Sequence, residues 1–262
     1  MSEFPSKAQV VVIGAGIVGS CLVGHLSRLG WEDIVLIDKG PLPNPGGSTG
    51  HASNFIFPVD HNKEMALLGV QSANQYRDLD RSVDSGGIEV ARTQERMDEL
   101  DRRMTSAKAW GVQAELLTPA EVKELVPFIN DEVILGGFHC PTVSVVDSLD
   151  TGTLFRNEAI DKGVLKVFAN TEVEDVETSD APNGQKKVSA VVTDRGRIEA
   201  EYVVVACGVW SNRVANMAGA TIPLVPAVHQ MADVGPMDIL AETNNEIGYP
   251  ICLLYTSPSP RD

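Results

Sequence analysis

Six residues near the amino terminus have types and spacing that predict chemistry: Gly14-Ala15-Gly16-Ile17-Val18-Gly19. They fit the pattern G-x-G-x-x-G. In that pattern the first glycine permits a tight turn, the second lets the backbone approach a diphosphate, and the third lets a helix pack closely on a strand. The diphosphate would lie at the helix N-terminus, where unpaired N–H groups and the helix dipole favour negative charge. The spacing predicts a dinucleotide-binding turn; the alternative is a glycine-rich turn without a ligand.

An acidic residue follows at the distance that such a turn requires. Asp38 lies 19 residues after Gly19, directly after the apolar run Ile34–Ile37. Its carboxylate would accept hydrogen bonds from the ribose hydroxyls of an adenosine and would repel a 2′-phosphate, which disfavours NADP. These residues alone do not decide between NAD and FAD.

The elements that must position these residues form one βαβ unit. Gln9–Ile13 is a continuous apolar run, typical of a buried parallel strand. Ile17–Leu29 has helical spacing, and Gly30 ends it as a C-terminal cap would. The expected buried side of this helix carries Ile17, Cys21, Val23 and Leu26.

A second strand of the nucleotide sheet is predicted far downstream. Glu201–Ser211 is an apolar run that enters a glycine-containing turn before a helix. A strand that returns to the sheet after so much intervening chain suits flavoenzymes, whose nucleotide-binding domain is split along the sequence. The alternative is an ordinary buried strand.

Periodicity and turn residues predict the remaining elements. Residues 40–58 are expected to form a long functional loop. Helices are expected at about 61–80, at 97–110, after the capping box Thr118–Glu121 and at Asp147–Lys162. Strands are expected at Gly87–Arg92, Leu165–Val167, Glu172–Glu177, Lys187–Thr193, Tyr202–Ala206 and Val225–Val234.

Composition excludes some partners. The net charge of −15 argues against nucleic acid and anionic membrane surfaces, because both would repel the chain at long range. No apolar run reaches the roughly 18 residues of a membrane span, and Met1–Pro5 lacks the features of a signal or transit peptide. Four scattered cysteines have neither metal-site spacing nor a disulfide pattern, so a reducing cytoplasm is the expected setting and no metal site is expected.

The last eleven residues, Cys252–Asp262, are expected to be foreign to the protein. They are what a common transposase adapter of sequencing libraries would encode. The alternative is a natural proline-rich tail. On the first interpretation native sequence ends near Ile251, and residues 252–262 are left out of the fold.

From residue 10 to about 251 the chain resembles the D-amino-acid-oxidase-like FAD superfamily, and within it the dimethylglycine oxidase, dimethylglycine dehydrogenase and sarcosine dehydrogenase group. The resemblance is most specific in Gly47-Ser48-Thr49-Gly50-His51-Ala52. Further stretches that carry it are Gly40–Pro45, Ala109–Val112, Leu117–Glu121, Ile134–Gly137 and Pro223–Gln230. It implies an α/β fold: a Rossmann-type FAD-binding domain, split along the chain, with part of an α+β substrate domain.

The resemblance also assigns contacts to FAD. His51 matches the histidine that carries the flavin covalently in relatives, and a neutral imidazole is a competent nucleophile near pH 7. Without the resemblance, a solvated loop histidine is the favoured interpretation of His51. The implied contacts are Gly14, Gly16, Ile17, Val18 and Gly19 at the phosphates, Asp38 and Lys39 at the adenosine, Ser48, Thr49, Gly50 and Phe55 at the flavin, and Val173 at the adenine.

The implied reaction is oxidation of an N-methylated glycine, dimethylglycine or sarcosine, by hydride transfer to the flavin. His229 matches a histidine that faces the flavin in the substrate cavity, where it could hold or remove the proton of the amine; the alternative is a histidine without a chemical role. The iminium product would hydrolyse to formaldehyde, or be captured by tetrahydrofolate if a further carboxy-terminal domain exists. Oxygen or an electron-transfer protein would reoxidise the flavin.

The expected oxidoreductase domain covers about 8–251. Its FAD-binding segments are about 8–60 and 145–215, and its substrate-domain segments are about 85–140 and 220–251. Two other functions stay open: an FAD enzyme of the same superfamily for another amino acid or a hydroxy acid, and a non-catalytic module that binds a nucleotide.

Overall fold

The computed structural model describes residues 3–60, 62–228, 230, 232, 235, 237–241 and 247–254. The chain divides into two compact units, each built from two segments. The first unit combines Met1–Ser53 with Ser148–Gln230, and the second combines Asn54–Asp147 with Met231–Asp262. Both mix helices with strands, and the α/β class predicted from the sequence is confirmed.

The strands are β1 Lys7–Ile13, β2 Ile34–Ile37, β3 Phe55–Ile56, β4 Ser82–Asp84, β5 Gly87–Ala91, β6 Glu115–Leu117, β7 Gly136–Cys140, β8 Ser144–Val146, β9 Leu165–Phe168, β10 Val173–Asp180, β11 Lys186–Thr193, β12 Gly196–Val205 and β13 Ile251–Leu254. The α-helices are α1 Ile17–Arg28, α2 Lys63–Asp78, α3 Gln94–Ala109, α4 Pro119–Leu125, α5 Ser148–Asp161, α6 Ser211–Met217 and α7 Asp238–Ala241. Short 3₁₀ turns cover Thr49–His51, Asp131–Val133 and Gly208–Trp210.

The sheet of the first unit has the strand order β10-β11-β12-β1-β2-β9. Strands β12, β1, β2 and β9 run parallel, whereas β10 and β11 pair antiparallel. The side chains of β2 are buried along its whole length, as a strand covered on both faces requires. The downstream run does return to the nucleotide sheet, because β12 pairs with β1 from Lys7 to Ile13.

Helix α1 buries a different side from the one predicted. Its buried residues are Gly19, Ser20, Val23, Gly24 and Ser27. Of the four expected residues only Val23 is buried, and Ile17, Cys21 and Leu26 are half-buried. The reason is the close approach of α5, which needs small side chains: a Cβ added to Gly24 would lie 2.9 Å from the Cβ of Phe155.

The second unit contains two smaller sheets, with orders β13-β5-β7-β6 and β3-β8-β4. Helix α3 packs on β5 and β7 and buries Leu100 and Ala107. The predicted capping box begins α4: the Glu121 N–H donates to Thr118 Oγ1 over 3.3 Å, and the Thr118 N–H donates to Glu121 Oε2 over 2.7 Å.

The strand predicted at Val225–Val234 is wrong for the part of it that the structure describes. Residues 225–228, 230 and 232 form no strand, and Val225 and Val228 are 90% and 100% exposed. None of the strands that the structure describes pairs with these residues, and Pro226 lacks the N–H that a ladder would need. His229 lies outside the described residues.

At the end of the described chain, β13 pairs parallel with β5 from Gly87 to Val90. It includes Cys252–Leu254, the first residues of the segment expected to be foreign. Residues 255–262 lie outside the described part. Among the helices that the structure describes, none has the length and apolar character to cross a bilayer.

Candidate cofactor-binding site

The turn between β1 and α1 is as tight as the glycine pattern predicts. Gly14 has φ +107°, a conformation that a residue with a Cβ rarely adopts. A Cβ on Gly14 would collide with the carbonyl oxygen of Ala206, just after β12. A Cβ on Gly19 would collide with the carbonyl oxygen of Gly14. Both glycines are therefore required by the packing of the turn on its own helix and on the neighbouring strand.

Asp38 lies directly after β2, and its side chain binds the backbone of the glycine turn. Its Oδ2 accepts a hydrogen bond from the Ala15 N–H at 2.6 Å, and its Oδ1 accepts one from the Gly40 N–H at 2.7 Å. The carboxylate thus fixes both the glycine turn and the start of the long loop. Each oxygen keeps a further lone pair that could accept from a ribose hydroxyl.

Lys39 follows this aspartate, and the two residues before Val173 contact the pair. The Thr171 N–H donates to the carbonyl oxygen of Asp38 at 2.9 Å, which brings the start of β10 to the end of β2. Lys39 Nζ pairs with Glu172 Oε1 at 2.7 Å, and this hydrogen bond lowers the pKa of the Glu172 carboxyl. Thr171 and Glu172 thus hold the start of β10, where Val173 lies, next to Asp38 and Lys39.

The long loop returns to the N-terminus of α1 through Thr49. Its Oγ1 accepts a hydrogen bond from the Ile17 N–H at 3.0 Å, and its carbonyl oxygen accepts one from Ser148 Oγ at 2.9 Å. A Cβ on Gly16 would lie 2.9 Å from the same Oγ1. The 3₁₀ turn therefore places Ser48, Thr49, Gly50 and His51 next to the glycine turn, with the His51 side chain exposed.

One predicted flavin contact lies in the second unit. Phe55 is half-buried in β3 and pairs with Val145 in the second unit. His229 is outside the described residues. Val18 is part of the first turn of α1, where its side chain is 68% exposed.

Sequence reasoning missed three side chains at the turn. Cys207 Sγ donates to the carbonyl oxygen of Ile13 at 3.2 Å, and burial, with the charge of Asp38, raises the pKa of this thiol to about 11. Trp210 lies against the loop, 3.0 Å from a Cβ added to Gly47. Arg156, on α5, reaches the carbonyl oxygen of Ala15. Of these three, only Trp210 lies in a stretch that the sequence marked, the glycine-containing turn at Gly208–Trp210. The sequence around Arg156 contains no pattern that predicts its contact with Ala15.

The arrangement fits a dinucleotide. Gly16, the N-cap residue of α1, makes no side-chain cap, so the N–H groups of the turn other than those of Ala15 and Ile17, which bind Asp38 and Thr49, can donate to a ligand. The glycines hold that backbone clear of side chains, and the Asp38 carboxylate stands at the end of the next strand. A diphosphate at the helix N-terminus and a ribose at the carboxylate match these donors and acceptors.

Comparison with known proteins agrees with this geometry. Residues 9–260 match a protein family described as "FAD dependent oxidoreductase". The mitochondrial sarcosine dehydrogenase of Mus musculus is 32% identical over 86% of this chain and 25% of its own length. The mitochondrial pyruvate dehydrogenase phosphatase regulatory subunit of Mus musculus is 30% identical over 92% of this chain and 27% of its own. The chain thus spans about a quarter of the length of these curated relatives.

Among solved structures, the fold is similar to that of L-proline dehydrogenase from P. horikoshii. The two superpose with a TM-score of 0.75 and 26% sequence identity. The similarity covers 82% of this chain and 57% of the other.

Proposed function

The chain belongs to the family of FAD-dependent oxidoreductases, and from that premise we propose that it is part of an enzyme that oxidises an N-methylated glycine, sarcosine or dimethylglycine. FAD is the expected cofactor of the family. The single observation that carries the proposal is the glycine turn between β1 and α1, held by Asp38 at the end of β2. The sarcosine dehydrogenase relative supports the choice of substrate class.

We assign the two ends of the FAD to two sets of residues. Gly14, Gly16, Ile17, Val18 and Gly19 would hold the diphosphate, and Asp38, Lys39 and Val173 the adenosine end. Ser48, Thr49, Gly50, His51 and Phe55 would hold the flavin end. When bound, the flavin supplies a two-electron acceptor. The domain division proposed from the sequence, with FAD-binding and substrate-binding segments that alternate along the chain, follows from the same assignment.

His51 is the residue we propose for covalent attachment. Its side chain is exposed at the end of the 3₁₀ turn whose Thr49 binds the Ile17 N–H, so its imidazole is accessible to a group at the helix N-terminus. Attachment would prevent loss of the cofactor.

His229 is the residue we propose to hold or remove the proton of the substrate amine, since the amine must react with a free lone pair.

Acid precipitation of the intact protein tests the attachment. We expect the yellow colour to stay with the precipitate in the parent protein and to move to the supernatant in His51→Ala. His139→Asn is the matched control, because His139 lies in the second unit, paired with Glu115 at 2.9 Å; it should keep the colour in the precipitate. Colour in the supernatant of the parent protein would refute attachment but leave FAD binding standing, whereas a protein that stays colourless with added FAD would refute the site.

Anaerobic bleaching of the flavin tests the substrate. We expect sarcosine and dimethylglycine to bleach it faster than L-proline, alanine or a hydroxy acid. His229→Asn should slow bleaching by about a hundredfold or more, the size of a general acid–base contribution. Faster bleaching by L-proline or a hydroxy acid would refute the proposed substrate and indicate a different substrate used within the same superfamily.

One relative favours a second function. The regulatory subunit matches 92% of this chain at 30% identity, and the sarcosine dehydrogenase 86% at 32%. A non-catalytic nucleotide-binding role would leave the FAD bound but unbleached by every amine and acid tested.

A further inference from the structure

Arg156 lies inside the first unit, directly behind the glycine turn. Its side chain extends from α5 towards α1, and the residue is only 5% exposed. Nη1 donates to Ser20 Oγ at 2.6 Å and lies 3.4 Å from the carbonyl oxygen of Ala15. Nη2 donates to Thr153 Oγ1 at 2.8 Å.

All three of these oxygens are neutral. Across the part of the chain that the structure describes, Arg156 makes no ion pair. Burial lowers the pKa of its guanidinium, and the more distant charge of Asp38 acts in the opposite direction. A buried cation without a paired carboxylate is costly unless an anion nearby offsets its charge.

Ser20 connects Arg156 to the turn. Its hydroxyl accepts the hydrogen bond from Nη1 and donates its own to the carbonyl oxygen of Ala15 at 2.9 Å. That carbonyl shares a peptide group with the N–H of Gly16. Because hydrogen bonds in a chain polarise one another, donation to the carbonyl makes this N–H a stronger donor. On the other side, the Ala15 N–H is held by Asp38 at 2.6 Å.

We propose that Arg156 is a positioning residue for the FAD diphosphate, which acts through Ser20 to fix the glycine turn and to raise the positive potential at its N–H groups. The proposal rests on the FAD site proposed above. It adds to that site a charged residue from α5, which lies more than a hundred residues after the glycine pattern in sequence.

Arg28 provides a matched control. It joins the same two helices, since its Nη2 pairs with Glu158 Oε2 at 2.7 Å and its guanidinium lies 4.8 Å from the centre of the Phe155 ring. Its contacts are with α5 and not with the turn. Loss of either arginine weakens the packing of α1 on α5, but only loss of Arg156 removes a charge from behind the turn.

The experiment measures FAD affinity of the apoprotein by flavin fluorescence in a His51→Ala background, where the cofactor cannot become covalently attached, together with the thermal midpoint of each variant. We expect Arg156→Met to weaken FAD binding by about tenfold, within the range of coupling energies for residues of one hydrogen-bond network. Ser20→Ala should weaken it by a smaller factor, and Arg156→Lys, which keeps the charge, should restore part of the loss. Arg28→Met should lower the thermal midpoint and leave FAD affinity unchanged.

Amide exchange without cofactor gives a second measurement that does not depend on FAD. Exchange at Ala15 and Gly16 should be faster in Arg156→Met and Ser20→Ala than in the parent chain and in Arg28→Met. If Arg156→Met does not fold, Ser20→Ala and Arg156→Lys decide the question.

Parent-like FAD affinity in both Ser20→Ala and the folded Arg156 variants would overturn the proposal, as would an equal loss in Arg28→Met. In that case the parent chain still binds FAD and the FAD site stands. Failure of the parent chain itself to bind FAD would instead refute the site, and the role of Arg156 with it.

Discussion

At the scale of single residues, Asp38 shows what spacing predicts and what it does not. The distance from Gly19 to Asp38, and the apolar strand between them, predicted a carboxylate at the end of β2. That this carboxylate also binds the Ala15 and Gly40 amides follows only from the folded backbone. Arg156 was not predictable as a site residue, because its burial depends on the packing of α5 on α1, which no local pattern encodes.

The thiol of Cys207 gives a prediction about pH. Its pKa is raised to about 11, mainly by burial, whereas the unfolded chain has a thiol pKa of about 8.5. The folded chain thus holds this proton more tightly, so the stability it contributes is full below about pH 8.5 and is lost as the pH rises through about 11. In urea denaturation at about pH 8 and about pH 10.5, we expect the free energy of unfolding to fall less in Cys207→Ala than in the parent chain. An equal fall in the free energy of unfolding of both proteins would contradict the prediction. A difference between them that is the same at both pH values reflects only the lost side chain and does not affect the test.

At the scale of elements, β1, α1 and β2 follow from the sequence because apolar runs and glycines are local signals. The side of α1 that becomes buried does not follow from the sequence. Hydrophobicity selects the apolar residues Ile17, Cys21 and Leu26 for burial, but the neighbouring helix comes so close that Gly24 and Ser20 occupy the interface. The strand prediction for the stretch after Pro223 is wrong for a related reason. Its apolar residues resemble a strand, but a strand forms only where a neighbouring strand can hydrogen-bond to it.

Two helical glycines test the close approach of α1 and α5. Gly24→Ala should destabilise the chain by about 1–3 kcal/mol, because its Cβ would meet Phe155 and the overpacking exceeds the gain in helix propensity. Gly69→Ala in α2 is the control: its Cβ would lie 3.5 Å from Pro58 Cα, an ordinary contact, so the same change should stabilise by up to about 1 kcal/mol. Chemical denaturation of both variants gives the comparison, and stabilisation by Gly24→Ala would show that the two helices separate easily.

At the scale of the whole molecule, the net charge of the chain opposes the approach of the cofactor. The chain has a net charge of −15, and the FAD diphosphate is an anion. Long-range repulsion slows their encounter, and salt screens it, whereas the short contacts of the glycine turn are screened much less.

We therefore expect the FAD association rate to rise between about 20 and about 200 mM KCl, while the dissociation rate changes little. Stopped-flow fluorescence measures both rates in a His51→Ala background, where the cofactor cannot become covalently attached. Arg156→Met should change the dissociation rate and leave the salt dependence of association as it is, because a buried charge is poorly screened. An association rate that falls with salt would mean that a local positive field outweighs the net charge.

The order of strands in the first sheet also has a consequence for synthesis. Val10 in β1 pairs with Tyr202 in β12, so one edge of the central strand has no partner until the ribosome has added nearly two hundred residues. At common translation speeds that interval is on the order of ten to forty seconds. During it the nascent chain exposes an apolar, unpaired strand edge, the kind of surface that joins other chains. The growing polypeptide is thus most vulnerable to aggregation before β12 emerges, and a chaperone that shields β1 would act in that period.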